Sequence, residues 1–406
     1  MSKVLGIIAE YNPMHNGHIY HLKESKKQTG AEETVLVMSG NFTQRGIPSI
    51  IDKYEKAKIA IENGIDLVIE LPCIYSISSA ENFASGSIKI LNSLGIIDYL
   101  SFGAESNIEN LENIANILVD EKYEYKKYLE AELDLGNSYP KARENALAKY
   151  LKSDNMNIIS MPNNILAIEY LKSLKKINSK IKPIAIKRNY VESNSDKINK
   201  NYASSSLIRK LIKENRIEKI KDFVPISTFN ALKSNIENGH FIFGLKSFEK
   251  EIMYELRKMS IEEINSLPDV NEGLGNLLKK ANNKCNNLEE LISIVKTKRY
   301  TLTRIQRILL YALLGITKEE MEISKEINPY VRVLGFSKKG EKILSQIKKE
   351  NNNIKIITSV NKFLESDEDK ALKEMLKRDI LASNIYTLGF EKEPFANKDF
   401  TSRLIV

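Results

Sequence analysis

Cysteine is nearly absent: the 406 residues include two, Cys73 and Cys285, far apart and neither in a CxxC pair. That spacing excludes a disulfide framework and a cysteine-built zinc site, and it suits a reducing compartment. No run approaches about 18 apolar residues, and no basic region leads into a long apolar one near the start, so neither a membrane span nor a signal peptide is expected. The expected location is the cytoplasm. No dense carboxylate cluster calls for a protein-held metal. Histidine is scarce too, with four in the chain, yet His15, His18 and His21 fall close together.

Those histidines sit in a telling context. A strand-like run over residues 4–10 breaks at Asn12-Pro13 and delivers His15-Asn16-Gly17-His18 onto the first turn of an expected helix. A strand that turns tightly into a helix aims unpaired backbone N–H groups at the turn and makes an anion site. Gly17 lets a ligand approach the backbone. His15 and His18, three apart, share a helix face and as donors can stabilise charge that builds on a phosphate. This His-x-Gly-His resembles the signature of the nucleotidyltransferase superfamily, whose members transfer a nucleotide's α-phosphate group and release pyrophosphate.

Length points to two or three domains. Strand-like runs at residues 34–39, 66–71, 99–102 and 181–186 alternate with helical patterns at 16–29, 53–63 and 80–94, the spacing of a parallel sheet with crossover helices. The expected fold class is α/β: an N-terminal Rossmann-like parallel-sheet domain over residues 1–215, then a mainly helical, mixed region over 216–406. Ligands bind such sheets at the carboxyl ends of the strands. The histidine turn, Ser39-Gly40 and Gly103-Ala104-Glu105-Ser106 all follow such ends, and Lys187-Arg188 follows the strand at 181–186.

A second polar element, Ala203-Ser204-Ser205-Ser206-Leu207-Ile208-Arg209, places hydroxyls at a helix start and an arginine within its first turns. Serines there can cap the helix or donate to phosphate, and the Arg209 fork suits a leaving pyrophosphate. Together with His-x-Gly-His it resembles the superfamily's second signature, Ser/Thr-x-x-Arg.

Four stretches narrow the resemblance: residues 10–18 (EYNPMHNGH), residues 38–46 (MSGNFTQRG), Pro162-Asn163-Asn164-Ile165-Leu166, and Lys298-Arg299-Tyr300-Thr301. They are similar to the bacterial tRNA(Met) cytidine acetate ligase family. The resemblance implies activation of acetate with ATP to acetyl-adenylate, then acetylation of N4 of the wobble cytidine in elongator tRNA(Met). It implies ATP binding by Ile7, Ile8, Ala9, Glu10, Tyr11, Asn12, Pro13, Met14, His15, Asn16, Gly17, His18, Ile19 and Tyr20, with Gly103, Asn163 or Asn164, and Arg188. His15 and His18 would serve the α-phosphate; Ser204, Ser205 and Arg209 would serve pyrophosphate. Ser206 stands where related second signatures often carry threonine, which leaves open the hydroxyl that touches phosphate. Magnesium is expected with ATP, without a dedicated protein site.

Charge distribution fits a polyanionic partner. Residues 1–200 carry 25 basic and 25 acidic side chains, whereas residues 201–406 carry 36 and 28. Lys298, Arg299, Arg304 and Arg307 surround an apolar helical pattern, and Arg304 and Arg307, three apart, are expected on one exposed face. With Tyr300 nearby they suit phosphate tracking and base stacking; Lys338-Lys339 is a second candidate. Two other classes stand beside this reading. A small-molecule adenylyltransferase explains the phosphate motifs but leaves the basic half without a task, and a non-catalytic tRNA-binding protein leaves the histidine pair without one.

Overall fold

The computed structural model describes residues 2–152, 157–187, 201–271, 273–297, 299–351 and 354–406. Five parallel strands form its centre: β1 (Val4–Ala9), β2 (Glu33–Ser39), β3 (Leu67–Leu71), β4 (Tyr99–Ala104) and β5 (Lys182–Lys187). Helices α1 (Asn16–Thr29), α2 (Lys53–Glu62), α3 (Ala80–Ser93) and α4 (Pro162–Lys176) lie between them in sequence, and three more helices, Ile108–Asp120, Tyr123–Asp134 and Tyr139–Leu151, precede α4. After β5 come α5 (Ser205–Lys213), α6 (Leu302–Leu314), β6 (Val331–Phe336), α7 (Lys338–Glu350) and β7 (Ile356–Ile357), with further helices among them.

The strands are continuous apolar runs because both sheet faces are covered. Alternate residues serve opposite faces. Val4, Val35, Val37, Ile69 and Phe102 join Phe83, Ile88 and Leu91 of α3 in one core. Leu5, Ile7, Leu36, Met38 and Val68 join Leu22, Ala57, Ile59 and Leu207 in the other.

Strand order is β5-β4-β1-β2-β3-β6-β7. From β1 the chain builds outward through β2 and β3, then returns to lay β4 on the opposite side of β1. The β1/β4 boundary is therefore a topological switch point, where a crevice opens at the carboxyl ends. The strand late in the chain enters the same sheet: β6 pairs antiparallel with β3, Leu67 opposite Phe336 and Glu70 opposite Arg332. The sheet thus draws on both sides of the 215/216 boundary. No helix among the described residues is long and apolar enough to cross a membrane.

Candidate active site

A cavity of about 560 Å³ opens at the switch point. Its lining from β4, α4 and β5 is mostly apolar, with Phe102, Gly103, Ile165, Leu166, Tyr170 and Ile186. Its lining from the start of α1, the loop at 43–47 and the start of α5 is polar and basic.

The two histidines cap α1. The His15 Nδ1 accepts the Gly17 N–H at 3.1 Å, and the His18 Nδ1 accepts the His15 N–H at 3.1 Å. Each satisfies a backbone donor that the helix start would otherwise leave unpaired. The consequence is chemical: a nitrogen that accepts cannot carry a proton, so each neutral ring is the Nε2–H tautomer. The rings stack with centroids 3.8 Å apart. Gly17 is required at closer quarters than a ligand's approach, because a Cβ there would lie 2.9 Å from the His15 Cε1.

Arg209, on α5, donates to the Asn12 carbonyl at 2.6 Å and faces the same cavity. Burial, then the neighbouring Arg45 charge, pushes its pKa down to about 10, which leaves it cationic at neutral pH. Ser204 caps α5, its Oγ accepting the Leu207 N–H at 3.1 Å and lying 2.8 Å from the Ser206 Oγ. Ser205 and Ser206 join it in the lining. The Glu10 carboxylate accepts the Gln44 N–H at 2.6 Å. Among the described residues no group of three or more His, Cys, Asp or Glu is placed to hold a metal.

Of the expected nucleotide residues, Ile7, Ile8, Ala9, Glu10, Tyr11, Asn12, His15, Gly17, His18 and Tyr20 line the cavity, as do Gly103, Asn163, Ser204, Ser205 and Arg209. Others in the same stretch build the wall instead. Pro13 follows a cis bond and Met14 is buried. Asn16 donates to the Asp222 and Asn201 carbonyls, and Ile19 packs against the core. Asn164 is fully buried and accepts the Glu105 and Ser106 N–H groups, bracing the loop after β4. Arg188 lies outside the described residues.

The expected exposed arginine face is not there. Arg307 is 8% exposed and holds the Asp269 carboxylate with Nε at 3.0 Å and Nη2 at 2.8 Å. Arg304 grips the Asp269 carbonyl and lies over the Tyr300 ring, itself buried. Two arginines on one helix converge on Asp269, whose left-handed backbone (φ 62°) presents both carbonyl and carboxylate to them. Arg299 is exposed, and Lys298 lies outside the described residues. Lys338 and Lys339 are exposed at the start of α7, but they follow Phe336, which pairs with the first residue of β3. They belong to the end of the sheet opposite the cavity.

The sequence reading assigned no role to Thr43, Gln44, Arg45 or Thr303, all of which line the cavity, and it left open the part of Ser206, which lines it too. The signal for three of them was present in Thr43-Gln44-Arg45-Gly46, a polar stretch shortly after the end of β2.

The pattern of the HIGH nucleotidyl transferase family matches residues 2–400. A tRNA(Met) cytidine acetate ligase of Thermoanaerobacter sp. (strain X514) is 45% identical over 406 residues, covering 99% of each chain. Thermotoga maritima TmcAL in its apo form I superposes with a TM-score of 0.94 at 34% identity, covering 99% of each chain. The same protein bound with alpha-thio ATP (form II) gives 0.92 at the same identity and coverage. The chain belongs to the tRNA(Met) cytidine acetate ligase family of HIGH nucleotidyl transferases.

Proposed function

We propose that the chain is an ATP-dependent ligase that joins acetate to a cytidine of tRNA(Met). An acetate oxygen attacks the α-phosphorus of ATP as the bridging bond to the β-phosphate breaks, giving acetyl-adenylate and pyrophosphate. N4 of the wobble cytidine in elongator tRNA(Met) then attacks the acetyl carbonyl, AMP leaves with the electron pair of the broken C–O bond, the amino group gives up one proton to solvent, and N4-acetylcytidine forms.

One observation carries the first step. The two Nε2–H tautomers, locked by helix-start hydrogen bonds, stand in the same cavity as Arg209 and the serine-rich start of α5. His15 and His18 donate to the α-phosphate as its charge rises, and Arg209 with the α5 start takes the departing pyrophosphate. Catalysis is positioning and charge stabilisation, with no covalent enzyme intermediate. The apolar lining from β4, α4 and β5 suits the adenine base. Magnesium would arrive with ATP and would neutralise phosphate charge there, since among the described residues no group of three or more His, Cys, Asp or Glu is placed to hold it.

We assign ATP chemistry to residues 1–215 and tRNA contact to residues 216–406, with β6 built into the first segment's sheet. Lys298 and Arg299 are the residues we assign to tRNA phosphates. The substrates, ATP and tRNA, put the reaction in the cytoplasm.

Acetate-dependent exchange of labelled pyrophosphate into ATP tests the first step. Exchange is expected from the intact protein and lost in His18→Ala. Absence of exchange with acetate or any other small carboxylate would overturn the adenylation reading.

A further inference from the structure

Arg45 stands on a hairpin that is fixed from every side. Thr43 N donates to the Ile47 carbonyl at 2.9 Å, Gly46 N to the Thr43 carbonyl at 2.9 Å, and Ser49 N to the Asn41 carbonyl at 2.8 Å. Gln44 is anchored twice, its N–H on Glu10 at 2.6 Å and its side-chain amide on the Ser78 carbonyl at 3.1 Å. Gly46 takes φ 74°, and a Cβ there would meet the Arg307 backbone N at 2.4 Å, so the hairpin rests directly on α6. So constrained a backbone fixes, before any ligand arrives, the point from which the Arg45 side chain departs.

That side chain faces the cavity together with Arg209. Two guanidinium groups in one half-buried site repel each other, and Arg45 helps to depress the Arg209 pKa. Glu10, which accepts the Gln44 N–H, draws the Arg209 pKa back up but brings one negative charge to the two positive ones. Such a pair is relieved by a ligand with more than one negative charge, and planar forks match phosphate oxygens in pairs.

We infer that Arg45 is a second catalytic arginine, contacting the β- and γ-phosphates of ATP and the pyrophosphate that leaves. The assignment rests on the adenylating reading of the cavity and adds a named residue to it. As the acetate oxygen bonds to the α-phosphorus, the electron pair of the breaking P–O bond passes to pyrophosphate, and Arg45 and Arg209 take up that charge from two elements. The hairpin that carries Arg45 is buttressed by α6, so helix and leaving-group site are mechanically joined.

Calorimetric titration of the full chain with ATP, AMP and inorganic pyrophosphate tests this without acetate or tRNA. Arg45→Ala is expected to weaken ATP and pyrophosphate about 10- to 100-fold, the range of a lost charge-assisted pair, and to leave AMP within about 2-fold. Arg45→Lys, which keeps the charge but not the fork, is expected between the two and covers the case in which the alanine variant does not fold. Equal weakening of ATP and AMP would make Arg45 a structural residue and overturn the assignment, as would unchanged ATP and pyrophosphate binding. Failure of acetate-dependent exchange with ATP binding intact would instead overturn the ligase reading and leave the phosphate contact standing.

Discussion

In the adenylation proposed here, the histidine nitrogen that carries the proton decides which atom can donate to the α-phosphate. In both rings that choice is made by the start of α1, where each Nδ1 accepts a backbone N–H. Gly17 protects the arrangement, since any larger residue displaces the His15 ring. Gly17→Ala is expected to lower the exchange rate about 10-fold, less than the roughly 100-fold of a 1 Å misplacement because the ring need move by only some tenths of an ångström, with thermal unfolding little changed. Exchange within about 3-fold of the parent would show that His15 is not held this way. A second residue gives a pH signature. The Lys56 ammonium is sealed behind the site, donating to the carbonyls of Ser39 at 2.8 Å, Gly40 at 2.7 Å and Glu10 at 3.1 Å and to the Ser49 hydroxyl at 2.9 Å. Burial pushes its pKa down to about 7, with Glu10 opposing. Between pH 7 and the unfolded lysine's value of about 10.4 the unfolded chain binds the extra proton, so this site makes stability rise with pH across that window. Urea unfolding at pH 7, 8 and 9 is expected to show that rise in the parent and a smaller one in Lys56→Met; equal slopes would contradict it.

At the scale of elements, much was legible and the failures have physical causes. The helix expected at residues 16–29 is α1 at those bounds, and the run at 34–39 differs from β2 by one residue. Strong periodicity, glycine stops and caps made these elements readable. Contacts between distant elements were not. The partner of Arg307, Asp269, lies 38 residues away on a turn whose conformation sequence spacing does not reveal. A three-residue offset on a helix fixes a shared face but not whether that face meets solvent. Arg307 is therefore a support for α6, and α6 supports the Arg45 hairpin. Arg307→Ala is expected to lower the unfolding temperature and the exchange rate together; a variant with full exchange and impaired tRNA modification alone would contradict this. The candidate site was read more fully from β1 and α1, where local order carries it, than from the 43–47 hairpin, where tertiary contacts do.

At the scale of the whole molecule, the two halves of the sequence are joined through the sheet and a buried ion cluster. Lys53 of α2 meets Glu70 at 2.9 Å and Asp399 at 2.8 Å, and Arg332 of β6 meets the same two carboxylates at 3.1 and 2.9 Å. Burial alone would raise the Asp399 pKa, yet Lys53 and Arg332 hold it well below the usual carboxylate range. Residues late in the chain are tied in at the other end of β6, with Phe336 N donating to the Ile405 carbonyl at 2.8 Å. Alternating strands and helices revealed the parallel core in sequence, but nothing local announces that β6 will join β3 in the opposite direction. Removing one acid leaves two buried cations sharing a single carboxylate. Asp399→Asn is expected to destabilise the fold by about 3–5 kcal/mol in urea unfolding; a loss below about 1 kcal/mol would show that the cluster does not hold the halves together.

On the proposed function, this one chain both makes acetyl-adenylate and delivers the acetyl group to RNA. The direct measurement is mass spectrometry of nucleosides from elongator tRNA(Met) incubated with the purified protein, ATP and isotope-labelled acetate. Labelled N4-acetylcytidine at the wobble position, appearing with equimolar AMP, is the predicted result. ATP converted to AMP with no labelled cytidine would contradict it.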